Sequence, residues 1–177
     1  MQTKNKPTLY WSLLKFKGWN LYVASTSKGL VFVGSQNKPF EELFEWTKKR
    51  FLGSPLVEND KKLEPYIAEI TQYLAGKRKT FTVPFEYVGT QFQRAVWDAL
   101  CEIPYGQTKS YSDIANDINN SEAVRAVGAA IGANPVLITV PCHRVIGKNG
   151  SLTGYRGGLE MKTMLIDLEE RASSSNE

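Results

Sequence analysis

Histidine occurs once in this 177-residue chain, as His143, and cysteine twice, as Cys101 and Cys142. So few thiols and imidazoles argue against a disulfide framework and a four-ligand Cys/His zinc site, so metal-assisted chemistry is not expected. No apolar run approaches the roughly 18 residues that a membrane helix needs, and the lysine-bearing N-terminus has no hydrophobic signal core. A cytoplasmic protein without a membrane partner is therefore expected. Repeats and low-complexity stretches are also missing, apart from a Ser-rich tail at about 172–177 that reads as disordered.

The net charge is +4 and the pI about 9.0, which invites a nucleic-acid reading. Its distribution weakens that reading, because residues 1–84 carry 14 basic and 7 acidic side chains whereas residues 85–177 carry 8 and 11. DNA must therefore be argued from shape and named residues rather than from bulk charge.

β-rich runs at Leu9–Phe16, Asn20–Ser25 and Gly29–Gly34, punctuated by Gly18 and Lys28-Gly29, predict a small antiparallel sheet. Apolar spacing predicts two helices laid on it, at about 40–51 and 60–75. A further strand is expected at Phe81–Phe85, then a linker near 84–90, so the chain divides into an α/β domain at 1–86 and a mainly helical one at 87–177. In the second, Thr90 with Gln93 forms a capping-box pattern ahead of an amphipathic helix carrying Phe92, Val96, Ala99, Leu100 and Ile103. Ser110 with Asp113 opens another helix, and Asn119-Asn120-Ser121 turns into a third at about 122–133, a helix-turn-helix order.

On that third helix Val124, Val127 and Ile131 share one face, while Arg125, Gly128, Ala129 and Gly132 share another. Glycine inside a helix costs about 1 kcal/mol relative to alanine. Two on one face call either for tight helix packing or for close approach to a DNA backbone.

The densest chemical signal is Pro141-Cys142-His143-Arg144-Val145, which places a thiol beside the single imidazole. Most cysteines are merely small buried hydrophobes, yet a neighbouring imidazole or arginine is what activates a thiolate. Two successive side chains diverge in a helix or strand, so a turn or an intervening water must join Cys142 to His143. In the last helix Glu169 lies on the side of Leu165 and Ile166, where a carboxylate needs a partner; an ordinary helix-end glutamate is the alternative.

Around this motif stand Gly132-Ala-Asn-Pro-Val136, Gly147-Lys-Asn-Gly150 and Thr153-Gly-Tyr-Arg-Gly-Gly-Leu159, with Thr90-Gln-Phe-Gln-Arg-Ala-Val-Trp97, Ile103-Pro-Tyr-Gly106 and Ser110-Tyr111 upstream. In this order and spacing the second half of the chain resembles the O6-alkylguanine-DNA alkyltransferase family. The resemblance implies a ribonuclease-H-like N-terminal domain, a winged-helix-like C-terminal domain, and stoichiometric transfer of an alkyl group from O6 of a flipped-out guanine, and O4 of thymine, to Cys142. It implies that His143 reaches the thiol through water and is oriented by Glu169, that Asn134 braces the turn, and that Tyr111 assists the departing guanine. Arg125 would fill the space left by the flipped nucleotide, beside DNA contacts at Ala126, Gly128, Ala129, Tyr111 and Ser112. Val145, Tyr155, Arg156, Gly157 and Leu137 would line the base pocket, with Leu137 and Arg156 departing from residues found in many relatives. The implied partner is double-stranded DNA containing alkylated guanine, bound by a monomer, with cooperative clustering left open. The zinc-binding Cys/His set of some animal relatives is missing.

Three other readings are weighed against this. A lesion-binding module would carry tryptophan at the Cys142 position, and a winged-helix regulator would leave Cys142 incidental. A papain-like hydrolase needs a histidine distant from its cysteine, and none exists here.

Overall fold

The computed structural model describes residues 5–175. Three strands, β1 (Leu9–Phe16), β2 (Trp19–Ser25) and β3 (Leu30–Val33), are followed by α1 (Phe40–Arg50), β4 (Leu56–Glu58) and α2 (Asp60–Leu74). The β1–β2 turn is two residues, Lys17 and Gly18, both at positive φ (44° and 84°), the geometry that matches strand twist. Period-two alternation then sorts the side chains. Leu14, Leu21 and Val23 face α2, whose Leu63, Ile70, Tyr73 and Leu74 cover them, while Leu9, Ala24 and Phe32 face α1 and Leu43.

Two expectations for this half change. The sheet is mixed, in order β3-β2-β1-β4, because the short edge strand β4 pairs parallel with β1; three half-exposed residues carry no alternation that could announce a strand. Phe81–Phe85 is not a strand either. It makes only a bridge at Phe85, with Leu30 N donating to Pro84 O and Glu86 N to Leu30 O at 2.9 Å. Pro84 has no N–H to extend a ladder, and the amides of Thr82 and Val83 donate instead to the buried Glu69 carboxylate at 2.6 and 3.3 Å.

The second half contains α3 (Gln91–Cys101), β5 (Lys109–Ser110), α4 (Tyr111–Asp117), α5 (Val124–Gly132), a 3₁₀ turn at Cys142–Arg144, β6 (Val145–Ile146) and α6 (Leu159–Ser174). The predicted Thr90/Gln93 capping box is present, and Ser110 with Asp113, expected to open a helix, forms a second one. Trp97, outside the predicted apolar stripe, is also buried and donates its indole N–H to Ala130 O at 2.9 Å, tying α3 to α5. The parallel β5–β6 pair was not predicted; two-residue strands have no legible period. The expected disordered tail is corrected in part: residues 172–174 form the last turn of α6, with Ser174 Oγ donating to Glu170 O at 2.9 Å, while residues 176–177 lie outside the described residues.

One apolar core runs from α2 and the sheet into α3, α4 and α5. At its seam β3 supports the segment that precedes the thiol: Val33 bridges Val136, and Val33 N donates to Pro135 O at 2.9 Å.

Candidate active site

The loop between α5 and the 3₁₀ turn is built around Asn134, which is 1% exposed. Its Nδ2 donates to Val136 O (3.3 Å), Val140 O (3.0 Å) and Cys142 Sγ (3.1 Å), and its Oδ1 accepts from Val136 N (2.9 Å). Within the loop Ile138 sits at φ 68°, an unfavourable region for a β-branched residue, where Thr139 N closes a tight turn onto Leu137 O at 2.7 Å. Such strain is held only when the surroundings over-determine it, and here buried packing and Asn134 do so.

Cys142 and His143 are successive residues of the 3₁₀ turn, an element other than the α-helix or strand in which their side chains would diverge. Cys142 is 2% exposed and His143 fully buried. His143 Nε2 meets Glu169 Oε2 at 2.5 Å, so the carboxylate predicted from the apolar stripe of α6 is the partner of the imidazole rather than a solvated helix end. Glu169 collects further donors. Oε1 accepts from Gly106 N (3.0 Å) and Arg144 Nε (2.8 Å), and Oε2 from Tyr73 Oη (2.5 Å) and Arg144 Nη2 (3.2 Å). Burial pushes the Glu169 carboxyl up, but the His143 and Arg144 hydrogen bonds outweigh it and hold the group down at about 2. The carboxylate is ionised, so the proton of the pair lies on Nε2 of the ring. The other nitrogen, Nδ1, is buried and has no hydrogen-bond partner among the described residues.

Burial, more than the neighbouring charges, sets the resting charge state of the pair. Burial pushes the Cys142 thiol above its ordinary value, against opposing effects of the Asn134 amide, Arg156 and Lys162. Burial also pushes His143 below its ordinary value, although Glu169 draws it upward. Thiol and imidazole are both neutral at rest, and deprotonation needs a base.

Tyr111 opens α4, and its Oη accepts from Thr153 Oγ1 at 2.8 Å, which leaves its own O–H free to donate elsewhere. Ser112 Oγ lies 3.0 Å from Ser110 Oγ in the same turn. Val145 and Leu137 are fully buried, and the Tyr155 hydroxyl is enclosed without a hydrogen-bond partner among the described residues. Arg156 is placed differently from the expectation of a pocket rim. Its guanidinium donates to Val33 O (2.7 Å), Asn134 O (3.0 Å) and Pro135 O (3.1 Å), covers the Phe32 ring and pairs with Glu42 at 3.5 Å. It ties the loop to the sheet. Gly157 is close-packed, since a Cβ there would lie 2.4 Å from Met161 Sδ.

On α5, Val127 and Ile131 are buried as predicted, whereas Arg125, Ala126, Ala129 and Gly132 are exposed and Gly128 is half-buried. The glycines are not required by packing. A Cβ on Gly132 would meet nothing within 4 Å, and one on Gly128 would only touch Tyr111 at 3.9 Å.

Sequence reasoning missed three side chains here. Tyr73 comes from α2 of the other half and reads as an ordinary core aromatic. Lys162 is fully buried and donates to Val145 O (2.6 Å) and Thr153 O (2.9 Å). Arg144 was expected beside the thiol but turns to Glu169 and to Ile103 O at 2.7 Å. Cys101, expected inside a core helix, is exposed at the end of α3 with its sulfur 3.4 Å from Tyr87 Oη. Among the described residues no His/Cys/Asp/Glu group could hold a metal ion.

Residues 9–87 match the family described as the 6-O-methylguanine DNA methyltransferase ribonuclease-like domain, and residues 91–171 the DNA binding domain of the same name. The chain is 84% identical over 170 residues to the inducible methylated-DNA–protein-cysteine methyltransferase of Bacillus subtilis, covering 96% of this chain and 95% of that one. It is 41% identical to the methylated-DNA–protein-cysteine methyltransferase of Methanosarcina mazei, over 92% and 98% of the two chains. The crystal structure of Mycobacterium tuberculosis OGT in complex with DNA superposes with a TM-score of 0.80 at 34% identity, over 92% and 94% of the chains.

Proposed function

This chain belongs to the 6-O-methylguanine DNA methyltransferase family, and from that premise we propose that Cys142 is the residue that accepts the alkyl group. The activity is DNA repair by direct reversal: the protein binds DNA and moves a methyl group from it to one of its own cysteines. What supports Cys142 and its neighbours in their roles is one observation above all. An ionised Glu169 fixes the proton of His143 on Nε2 and leaves the buried Nδ1 as a lone-pair acceptor, in the residue next to a thiol that Asn134 holds by hydrogen bond.

The reaction then runs as a single displacement. Sγ of Cys142 attacks the alkyl carbon on O6 of guanine, the S–C bond forms as the C–O6 bond breaks, and the thiol proton passes through water to Nδ1 of His143. Glu169 stabilises the imidazolium that results. The departing guanine regains a proton at N1, with Tyr111 as its donor and the imidazolium restoring the balance. The thioether product is a very poor leaving group, so each molecule acts once, without a cofactor.

A base stacked in a duplex cannot reach a thiol that is 2% exposed, so the nucleotide must turn out at a cost of a few kcal/mol. The open face of α5 lies against the backbone, Ala126, Gly128 and Ala129 letting it approach, with Tyr111 and Ser112 at the start of α4 beside it. Arg125 enters the stack in place of the flipped base and offsets part of the cost. Val145, Tyr155 and Gly157 border the flipped base. The substrate in this reading is double-stranded DNA with O6-alkylguanine, and O4-alkylthymine second. The protein acts as a monomer in the cytoplasm, residues 87–177 carrying the chemistry and residues 1–86 supporting it. Among the described residues no helix is long and apolar enough to cross a membrane.

Intact mass before and after incubation with O6-methylguanine DNA tests the reading. One added methyl is expected, mapped to the peptide containing Cys142 and lost in Cys142→Ser. A methyl on Cys101, or transfer by Cys142→Ser, would overturn it.

A further inference from the structure

The catalytic relay as read above lies in the second half of the chain, yet one of the closest contacts to its carboxylate comes from the first. Tyr73, on α2, is fully buried, and its Oη lies 2.5 Å from Glu169 Oε2 and 3.3 Å from His143 Nε2. The two distances decide what the hydroxyl does. At 2.5 Å it donates to the carboxylate, while the 3.3 Å contact is weak, because the Nε2–H already points at the same Oε2. Tyrosine and histidine therefore compete for one oxygen.

We propose that Tyr73 is a positioning residue through which the N-terminal domain tunes the transfer site: by donating to Glu169 Oε2 it limits how strongly that carboxylate draws a proton onto His143. The imidazole then stays neutral, with Nδ1 free to take the thiol proton. Anchoring of the carboxylate does not need Tyr73, because Arg144 and Gly106 N already hold Glu169 through both oxygens. Its contribution is electrostatic. The other charged groups acting on His143 are Lys162 on α6 and Arg144 in its own turn, while Tyr105 packs its ring edge-on against Tyr73. Lys162 and Arg144 also disfavour the imidazolium, and neither changes when the hydroxyl of Tyr73 is removed. The inference rests on the assignment of His143 and Glu169 as the relay.

A single histidine makes the test direct. In ¹⁵N-histidine-labelled full-length protein, Tyr73→Phe is expected to raise the NMR-determined pKa of His143 by about half a unit or more, since a charge-assisted hydrogen bond to its counter-ion is lost. Methyl transfer from O6-methylguanine DNA should slow below the new pKa and recover above it, with binding to undamaged duplex unchanged. Site-specific 3-fluorotyrosine at position 73, a stronger donor of nearly the same shape, should lower the His143 pKa. An unchanged pKa in both proteins, or a fall in Tyr73→Phe, overturns the proposal. His143→Gln separates the two levels: if it transfers at the wild-type rate the relay itself is wrong, whereas slow transfer by His143→Gln beside unshifted Tyr73 variants removes only the role of Tyr73.

Discussion

Replacing Glu169 by glutamine is expected to cost stability in a pH-dependent way that the site geometry specifies. The wild-type carboxyl is 2% exposed and held at about 2 against an ordinary value of 4.5. A depressed carboxyl contributes stability that is fully present above its unfolded value and lost as pH falls through its folded value. At about 1.36 kcal/mol per unit, this shift amounts to about 3 kcal/mol at neutral pH, of which about 2 kcal/mol is gone by pH 3. Glutamine accepts fewer hydrogen bonds and leaves the charge of Arg144, 6% exposed, without its counter-ion; breaking such a pair costs about 3–5 kcal/mol. Urea unfolding of wild type and Glu169→Gln, followed by tryptophan fluorescence from pH 7 to pH 3, should show a gap of that size at neutral pH that narrows below pH 4.5. The depressed His143 works in an earlier window. Its contribution falls in both proteins as pH drops below 6.5, and it vanishes in His143→Gln. A gap that stays constant from pH 7 to pH 3 would refute the claim that Glu169 is ionised and charge-paired in the fold.

Three other outcomes are expected. Asn134→Ala should destabilise the protein by about 1–3 kcal/mol in denaturant titration, because it strands the buried Val136 amide and leaves the Val140 carbonyl with the Cys142 amide as its remaining donor; a loss under 0.5 kcal/mol would mean the loop holds itself. Gly132→Ala, with nothing within 4 Å of the new methyl, should stabilise α5 by up to about 1 kcal/mol while weakening duplex binding in a fluorescence-anisotropy titration, and stability gained with no loss of affinity would remove this face from the DNA interface. Arg125→Ala should slow repair in duplex DNA far more than transfer from a free guanine analogue, and equal slowing on both would exclude a role in flipping.

Where a feature was written locally it could be read. Capping boxes need two residues three apart, and the core stripes of α3 and α5 need one helical period, so Thr90, Ser110, Val96 and Val127 announced themselves. The Cys142-His143 pair was legible because its residue types are rare in the chain, and Glu169 because a carboxylate on an apolar stripe is costly. The protonation state was not legible. Neighbouring charges argued for a thiolate, but burial, which adjacency in sequence cannot express, reverses the sign for Cys142.

The same limit explains why the N-terminal half looked uninformative. Its contributions to the site are Tyr73 Oη, Val33 O and Glu42, reaching Glu169 and Arg156 across 96, 123 and 114 residues of chain. Each is innocuous in its own segment: a helix aromatic, a strand carbonyl, an acid in the first turn of α1. Only the seam between the domains turns them into partners of the relay and of the loop that carries Asn134. A backbone carbonyl such as Val33 O has no side chain through which sequence could mark it. Arg156, set between two glycine-containing turns, therefore read as a pocket residue when its guanidinium in fact faces the sheet. The thiol's surroundings are held from both domains, so, with Cys142 as the proposed acceptor, a substitution of Glu42 in α1 or Tyr73 in α2 is expected to alter transfer without changing any residue of the Cys142 motif.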